Sequence, residues 1–284
     1  MDPLVVTQAI NILYEVVTVA TLVIGLAIVF GLLGVLNLAH GEFVMCGAYC
    51  AYFAQVQGWP YLAAIPLTLA VCGGLGWLVE RLLIRPLYQR PFDTLIATWG
   101  LSLLLRKTAE AAYGLGFKSI NVPLPGTMEI LGADYPTYRA LLIVICIALL
   151  AALALWFRTS RAGTRIKAMV GNPDLAQAVG IPTAKLARNT FIVGTCFAGL
   201  GGVMVAPLVP VQPFMGLDYI LKAFFVLVVG GLGSLLGLFA GAGIVGGTES
   251  LVSAVIDRTY GYFTVLVIAI IFLWLRPRGL FART

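Results

Sequence analysis

Charge is what this sequence has least of. Only 11% of its 284 residues are Asp, Glu, Lys or Arg and 61% are hydrophobic, whereas soluble domains carry about 25% charged residues. There is one histidine, His40. Neither HExxH nor GxSxG occurs, so the metal and nucleophile arrangements that an intramembrane hydrolase would need are missing. The five cysteines, Cys46, Cys50, Cys72, Cys146 and Cys196, lie in apolar segments without CxxC or Cys/His ligand spacing, which leaves them as small packing residues. A phosphate-binding loop, GxxxxGK[ST], is also lacking. Its nearest approach, GLGFKS at 114–119, sets Phe117 between glycine and lysine. The chain is therefore expected not to be its own ATPase, and to work with a partner that is one or with a gradient. No Lys or Arg precedes the first apolar run in MDPLVVTQAINILYEVV. That argues against a cleaved signal peptide and takes Met1 as the native start.

What is present is apolar helix. At about 20 residues per crossing, the chain has room for roughly six to nine spans and none for a soluble domain. The expected fold is an all-α integral membrane protein, a polytopic helical bundle forming a single transmembrane domain over 1–284. The net charge of +6 follows from topology, because twelve of the eighteen cations fall in three clusters and cytoplasmic loops collect Lys and Arg. The clusters are Arg81, Arg85 and Arg90; then Arg158, Arg161, Arg165, Lys167, Lys185 and Arg188; then Arg276, Arg278 and Arg283. Between them the spans read as 9–36, 41–55, 61–83, 95–112, 140–157, 191–208, a compound stretch 217–256, and 262–275. The Gly- and Pro-rich segment 114–138 suits an external loop. The C-terminus is expected in the cytoplasm and the N-terminus in the periplasm.

Two interruptions stand out. In GVLNLAHGEFVMCG at 34–47, Asn37, His40 and Glu42 break an apolar run. In VVGGLGSLLGLFAGAGIVGG the parity of the spans demands a bend at 230–233, flanked by helices shorter than a full crossing. Broken backbone at membrane depth is tolerated only against protein or a water-filled cavity, and paired breaks in the two halves point to a transport site. An internal repeat fits, although the two stretches are only weakly alike. Asn37 reads either as a helix terminator or as a group that meets solute. His40 either senses protons or satisfies backbone carbonyls, and Glu42 either caps a helix start or lines a path. Gly230, Gly231 and Gly233 serve either close helix packing or an unwound turn that offers free amides and carbonyls. Glu249 either faces a vestibule or pairs with Arg258. Lys222 is placed to snorkel, and Glu80 and Glu110 to anchor helix ends at the interface. The candidate translocation path is thus Asn37, His40, Glu42, Gly230, Gly231, Gly233 and Glu249.

The cationic loop 158–189 contains a second signal. Asn172 is a natural N-cap, Pro173 fits the first helical position, Asp174 suits the positive helix end, and Gly180 with Pro182 stops the helix. Such a helix either tidies a surface loop or docks in a partner's groove.

Four stretches, GLLGVLNLAHGEFVMCGAY, GNPDLAQAVGIPTAKL, VVGGLGSLLG and RPRGLF, occur in the order that resembles the permease subunits of ABC importers for branched-chain amino acids and their urea and short-amide relatives. The resemblance runs from about Thr18 to Phe281. It implies alternating access, a second homologous permease subunit giving a heterodimer, two cytoplasmic ATPase subunits, a periplasmic solute-binding protein, and a bacterial inner-membrane location. No cofactor is expected on this chain, ATP and Mg belonging to the partner ATPases. The resemblance also implies that loop 158–189 is the cytoplasmic coupling loop. Its helix would carry ATPase coupling through Asn172, Pro173, Asp174, Ala176 and Gly180. FDTLIATWGLSLLL at 92–105 is closer to the urea branch, so urea, short amides and branched-chain amino acids all remain open. A gradient-driven transporter or channel for small neutral solutes is the alternative, and an enzyme is the poorest fit.

Overall fold

The computed structural model describes residues 2–34, 36–88, 90–231, 234–276 and 279–281. Among them the chain forms α1 (Pro3–Leu33), α2 (His40–Val56), α3 (Ala64–Val79) and α4 (Pro91–Tyr113), a hairpin of β1 (Thr127–Ile130) and β2 (Ala133–Pro136), and α5 (Thr137–Thr159). Two short helices follow, α6 (Arg161–Gly171) and α7 (Pro173–Ala178). The chain continues through α8 (Thr183–Val205), α9 (Met215–Gly230), α10 (Leu235–Val255) and α11 (Arg258–Leu275). Six of the described helices are long and apolar enough to span a membrane: α1, α3 with its flanking turns, α5, α8, α10 and α11. The polytopic helical bundle read from composition is what the chain forms.

The residues group into two compact units, a terminal one (1–23, 121–149, 221–284) and a central one (24–120, 150–220). Packing in the central unit depends on glycine. A Cβ built on Gly47 would stand 1.9 Å from the Gly199 carbonyl oxygen, and one on Gly202 1.9 Å from that of Val44, so α2 and α8 touch backbone to backbone. In lipid there is little hydrophobic gain from helix contact, and such close approach supplies van der Waals attraction instead. Thr195 Oγ1 donates to the Cys72 carbonyl at 3.1 Å, tying α8 to α3. Buried Cys72 sits beside the Phe43 carbonyl, a packing role of the kind expected for the cysteines.

One end of this unit collects helix ends. Leu32 of α1, Ile166 and Met169 of α6, Ala176 of α7 and Ala187 of α8 form an apolar cluster, with Tyr88 and Phe157 packed on it. The first two cation clusters therefore lie at the same end, as the topology required. α6 was not anticipated. Ser160 caps it by accepting the Gly163 amide at 2.9 Å, Ile166 and Met169 face inward, and Arg161, Arg165 and Lys167 stay exposed. At the opposite end Lys118 and Val211 exchange backbone hydrogen bonds at 2.9 Å.

In the terminal unit the loop expected to be external holds the hairpin, which sequence reading missed because its turn residues are Leu131 (φ 52°) and Gly132 (φ 83°) instead of the usual Asn-Gly or Asp-Gly. α9 and α10 fold back on each other. A Cβ on Gly230 would lie 2.0 Å from the Gly237 oxygen, and one on Gly241 2.2 Å from the Val226 oxygen, a pairing that only antiparallel helices give. Ser234 caps α10 by accepting the Gly237 amide at 3.1 Å. The expectation of two short flanking helices holds for α9, 16 residues or about 24 Å. It fails for α10, whose 21 residues reach about 31 Å, a full crossing. Asp257 caps α11 through the Thr259 amide at 2.7 Å, and that hydrogen bond holds its carboxyl below the usual carboxylate range.

Candidate functional site

The first break is built from Gly34 onward. Its φ of +63° ends α1 in the left-handed conformation that glycine adopts without a steric penalty. The chain then turns back along α1. A Cβ built on Gly25 would lie 3.2 Å from His40 Cε1, and Gly25 sits eight residues, or about 12 Å, before the end of α1. Helix α2 thus starts part-way along α1. Asn37 is buried and shapes the turn, its Oδ1 accepting the Ala39 amide at 3.1 Å and its carbonyl the His40 amide at 3.1 Å.

Helix α4 supplies the partners for this break. Thr94, Thr98, Ser102 and Arg106 recur every four residues and are all buried, which places them on one face. Thr98 Oγ1 accepts the Leu38 amide at 3.2 Å. Glu42 Oε1 accepts from Ser102 Oγ at 2.8 Å and from Arg106 Nη2 at 2.9 Å. The Arg106 guanidinium also lies 5.5 Å from the centre of the Phe214 ring. Glu42 is fully buried, yet its Oε2 and the Arg106 Nε have no hydrogen-bond partner among the described residues. Such a pair holds together only while both charges are present, because a lone charge in this surrounding is strongly disfavoured. Sequence reading missed Arg106 and its stripe, although the four-residue spacing of polar groups in an apolar helix was available as a signal.

At the second break, Gly230 closes α9, and Gly231 adopts φ +105°. Gly233 lies outside the described residues. The carbonyls of Val229 and Gly230 accept from the amides of Leu280 and Phe281 at 3.1 and 3.0 Å. A Cβ on Gly279 would meet the Gly231 Cα at 2.4 Å. The C-terminal segment, one of the four motif stretches, therefore occupies the Gly230 carbonyl, one of those that the unwound-turn reading had offered to solute. Glu249 lies elsewhere on α10. Its Oε1 accepts from Lys222 Nζ at 2.9 Å, and the same ammonium donates to Glu15 Oε1 at 2.9 Å. Lys222 bridges two carboxylates with its side chain only 15% exposed, so it does not snorkel, and Glu249 pairs with it and not with Arg258. Arg258 instead donates to the Tyr262 hydroxyl at 3.1 Å.

The loop helix α7 has the boundaries its caps imply. Asn172 Oδ1 accepts the Leu175 amide at 2.9 Å, Pro173 opens the helix, and Gly180 at φ +82° closes it. Asn172, Pro173, Asp174 and Gly180 are exposed, whereas Ala176 is buried in the apolar cluster. Two large apolar side chains on α7 and its cap, Leu175 and Val179, are 61% and 68% exposed. They are outward-facing apolar side chains that sequence reading passed over.

The glutamate at the end of α3 is not an interfacial anchor either. Glu80 is 1% exposed and accepts from the Tyr88 hydroxyl at 2.9 Å. Glu110, near the end of α4, pairs with Lys107 at 2.7 Å.

The family model for the branched-chain amino acid transport system permease component matches residues 8–275. The high-affinity branched-chain amino acid transport system permease protein LivH of Escherichia coli K12 is 29% identical, over 94% of this chain and 92% of its own length. The corresponding permease protein BraD of Pseudomonas aeruginosa is 27% identical, over 97% and 95%. Among solved structures, PsaBC from Streptococcus pneumoniae in complex with Fab superposes with a TM-score of 0.55 at 11% identity, covering 94% of this chain and 91% of that one. At that identity the likeness is one of fold.

Proposed function

We propose, on the premise that this chain belongs to the branched-chain amino acid transport system permease component family, that it forms half of the membrane conduit of an ATP-driven importer. As a member of that family it is a transport subunit and not an enzyme. The observation that carries the ATP-driven reading is α7. It is a capped helix at the cation-rich end of the central unit, anchored by buried Ala176 and presenting exposed Leu175 and Val179. Two apolar side chains held out from a polar loop suit insertion into a protein groove. With no phosphate-binding loop in the chain, an ATPase is the partner this reading assigns to them.

The remaining partners in this proposal are a second, homologous permease subunit, a second ATPase copy and a periplasmic solute-binding protein. The location is the bacterial inner membrane, with the C-terminus and α7 on the cytoplasmic side, in keeping with the shared end of the first two cation clusters. The route runs beside the first break, where Asn37, His40 and Glu42 bring polar groups to membrane depth. In the terminal unit, the second break at Gly230 and Gly231 and the Glu249 network are the path residues this reading adds, and alternating access is the mechanism it assigns.

Branched-chain amino acids are the proposed solutes, because relatives matching over nine-tenths of the chain are named for them. Urea and short amides are the second reading, favoured by FDTLIATWGLSLLL in α4. Uptake into vesicles holding this chain, its second subunit and the cognate binding protein separates all of these. ATP-dependent leucine uptake that persists with a proton ionophore supports the proposal. Uptake that the ionophore abolishes, or that urea outcompetes, overturns the energy source or the solute respectively.

A further inference from the structure

A cavity of about 530 Å³ lies in the central unit between the end of α3 and the corner joining α7 to α8. Its lining includes Glu80, Arg85, Gln177, Thr183, Lys185 and Arg188. The α3 end is unusual in its backbone, since Glu80–Ile84 forms a single π-helical turn, a device that recurs at functional sites.

The charges in this cavity form two halves of opposite sign, a buried carboxylate and three more exposed cations. Glu80 is almost wholly buried, its Oε1 accepts from the Tyr88 hydroxyl, and its Oε2 has no hydrogen-bond partner among the described residues. A buried carboxylate oxygen without a donor is costly, so the position calls for an N–H or O–H group from a ligand. Arg85, Lys185 and Arg188 bring three positive charges to the same cavity. A simple anion would satisfy the cations and be repelled by Glu80. A simple cation would satisfy Glu80 and be repelled by three cations. A ligand carrying both an ammonium and an anionic group satisfies both halves. Ile181, Pro182 and Ala184 complete the wall and accept an aliphatic portion.

We propose that this cavity binds a small zwitterion, its ammonium on Glu80 and its carboxylate or phosphate on Arg85, Lys185 and Arg188. Two sources present that chemistry, a free α-amino acid and a phosphatidylethanolamine headgroup. The occupied site would tie the end of α3 to the α7–α8 corner. The inference rests on the cavity itself and stands apart from the transport reading.

The test uses the purified full-length chain carrying Ala184→Cys, a wall position, with alkylation at that cysteine by a polar maleimide followed by peptide mass spectrometry. In detergent, L-leucine should slow the reaction, while 4-methylpentanoate and 3-methylbutylamine, each bearing one half of the zwitterion, should not. In nanodiscs, phosphatidylethanolamine should protect, while phosphatidylcholine, which has no N–H donor, and phosphatidylglycerol should not. Protection by leucine alone identifies the free amino acid as the source, and protection by phosphatidylethanolamine alone identifies the lipid. Glu80→Gln should weaken protection by about tenfold to a hundredfold, the loss expected for a hydrogen bond between charged groups. Arg188→Gln tests the other half if the first variant does not fold. Equal protection by either half-ligand or by phosphatidylglycerol, protection unchanged in both variants, or no protection by any probe overturns the proposal. Vesicle uptake, measured separately, leaves the transport reading to stand or fall alone.

Discussion

Arg106 reaches Glu42 across 64 positions of sequence and joins it at 2.9 Å, both side chains buried. The contact fixes α4 against the start of α2, about two helical turns along α4 from Thr98, which accepts the amide of Leu38. Removing one partner leaves an uncompensated buried charge, which costs about 3–5 kcal/mol, while replacing both with apolar groups of similar volume is often neutral. Arg106→Ala should therefore lower the thermal unfolding midpoint of the purified protein far more than the double replacement Arg106→Met with Glu42→Leu. If the double variant stays folded and loses uptake, the pair serves the route; if uptake survives, the pair is structural.

The Lys222 network gives an asymmetric expectation. One ammonium faces two carboxylates, Glu15 and Glu249, so the three positions are not equivalent. Lys222→Met leaves two acids with no cation and should cost about 3–5 kcal/mol, seen as loss of folded yield in detergent. Glu249→Gln leaves a balanced Lys222–Glu15 pair and gives up one charged hydrogen bond, about 1.5–3 kcal/mol or less. Size-exclusion yield and thermal midpoint of the two variants, side by side, check the order. The reverse order would mean that Glu249 holds more than Lys222.

How much of this was legible in the sequence depends on the range of the interaction involved. Both breaks and the spans at α1, α3, α5, α8, α10 and α11 follow from local apolar runs and their interruption, whereas α2 and α4, read as spans at 41–55 and 95–112, are not among the six described helices long and apolar enough to cross. The boundaries of α7 follow from Asn172, Pro173 and Gly180 within nine residues. The partners of Glu42 and Glu249 did not follow, because Arg106 and Lys222 sit on other helices and no local rule joins them. Lys222 misled for a physical reason: its place near the start of α9 suits snorkelling, and only packing shows that two acids hold it inside. The cap that Leu280 and Phe281 place on the carbonyls of Val229 and Gly230 joins two motifs that were read as separate. Glu80 was misjudged because its place at a helix end beside Arg81 suggested an interfacial anchor, whereas it lies buried at the start of the π turn.

Glycine positions divide sharply by what surrounds them. A Cβ on Gly41 would lie 1.9 Å from the Gly216 oxygen, while one on Gly74 meets nothing within 4 Å. Gly41→Ala must push two backbones apart and should abolish stable folding. Gly74→Ala, on an exposed helix face, should be neutral or stabilise by up to about 1 kcal/mol, the propensity difference between the residues. Fluorescence-detected size-exclusion after heating distinguishes them. Equal tolerance at both positions would show that α2 and the start of α9 do not make this contact in the membrane.

The docking role of α7 is separable from its packing role because neighbouring residues point in opposite directions. Leu175 and Val179 are exposed, while Ala176 is 2% exposed in the cluster that gathers the ends of α1, α6 and α8. Leu175→Arg and Val179→Arg change a largely exposed surface, so the thermal midpoint should move little, within about 0.5 kcal/mol in stability terms. Recovery of the ATPase in pull-downs from native membranes should nevertheless fall at least about tenfold, since apolar anchors of an interface commonly contribute about 2 kcal/mol or more each. Ala176→Arg forces a charge into the cluster and should lower both readouts together. Should the two surface variants retain the ATPase at the original level while ATP-driven uptake continues, the groove-filling role belongs to another segment, and α6, with its outward Arg161, Arg165 and Lys167, is the next place to look.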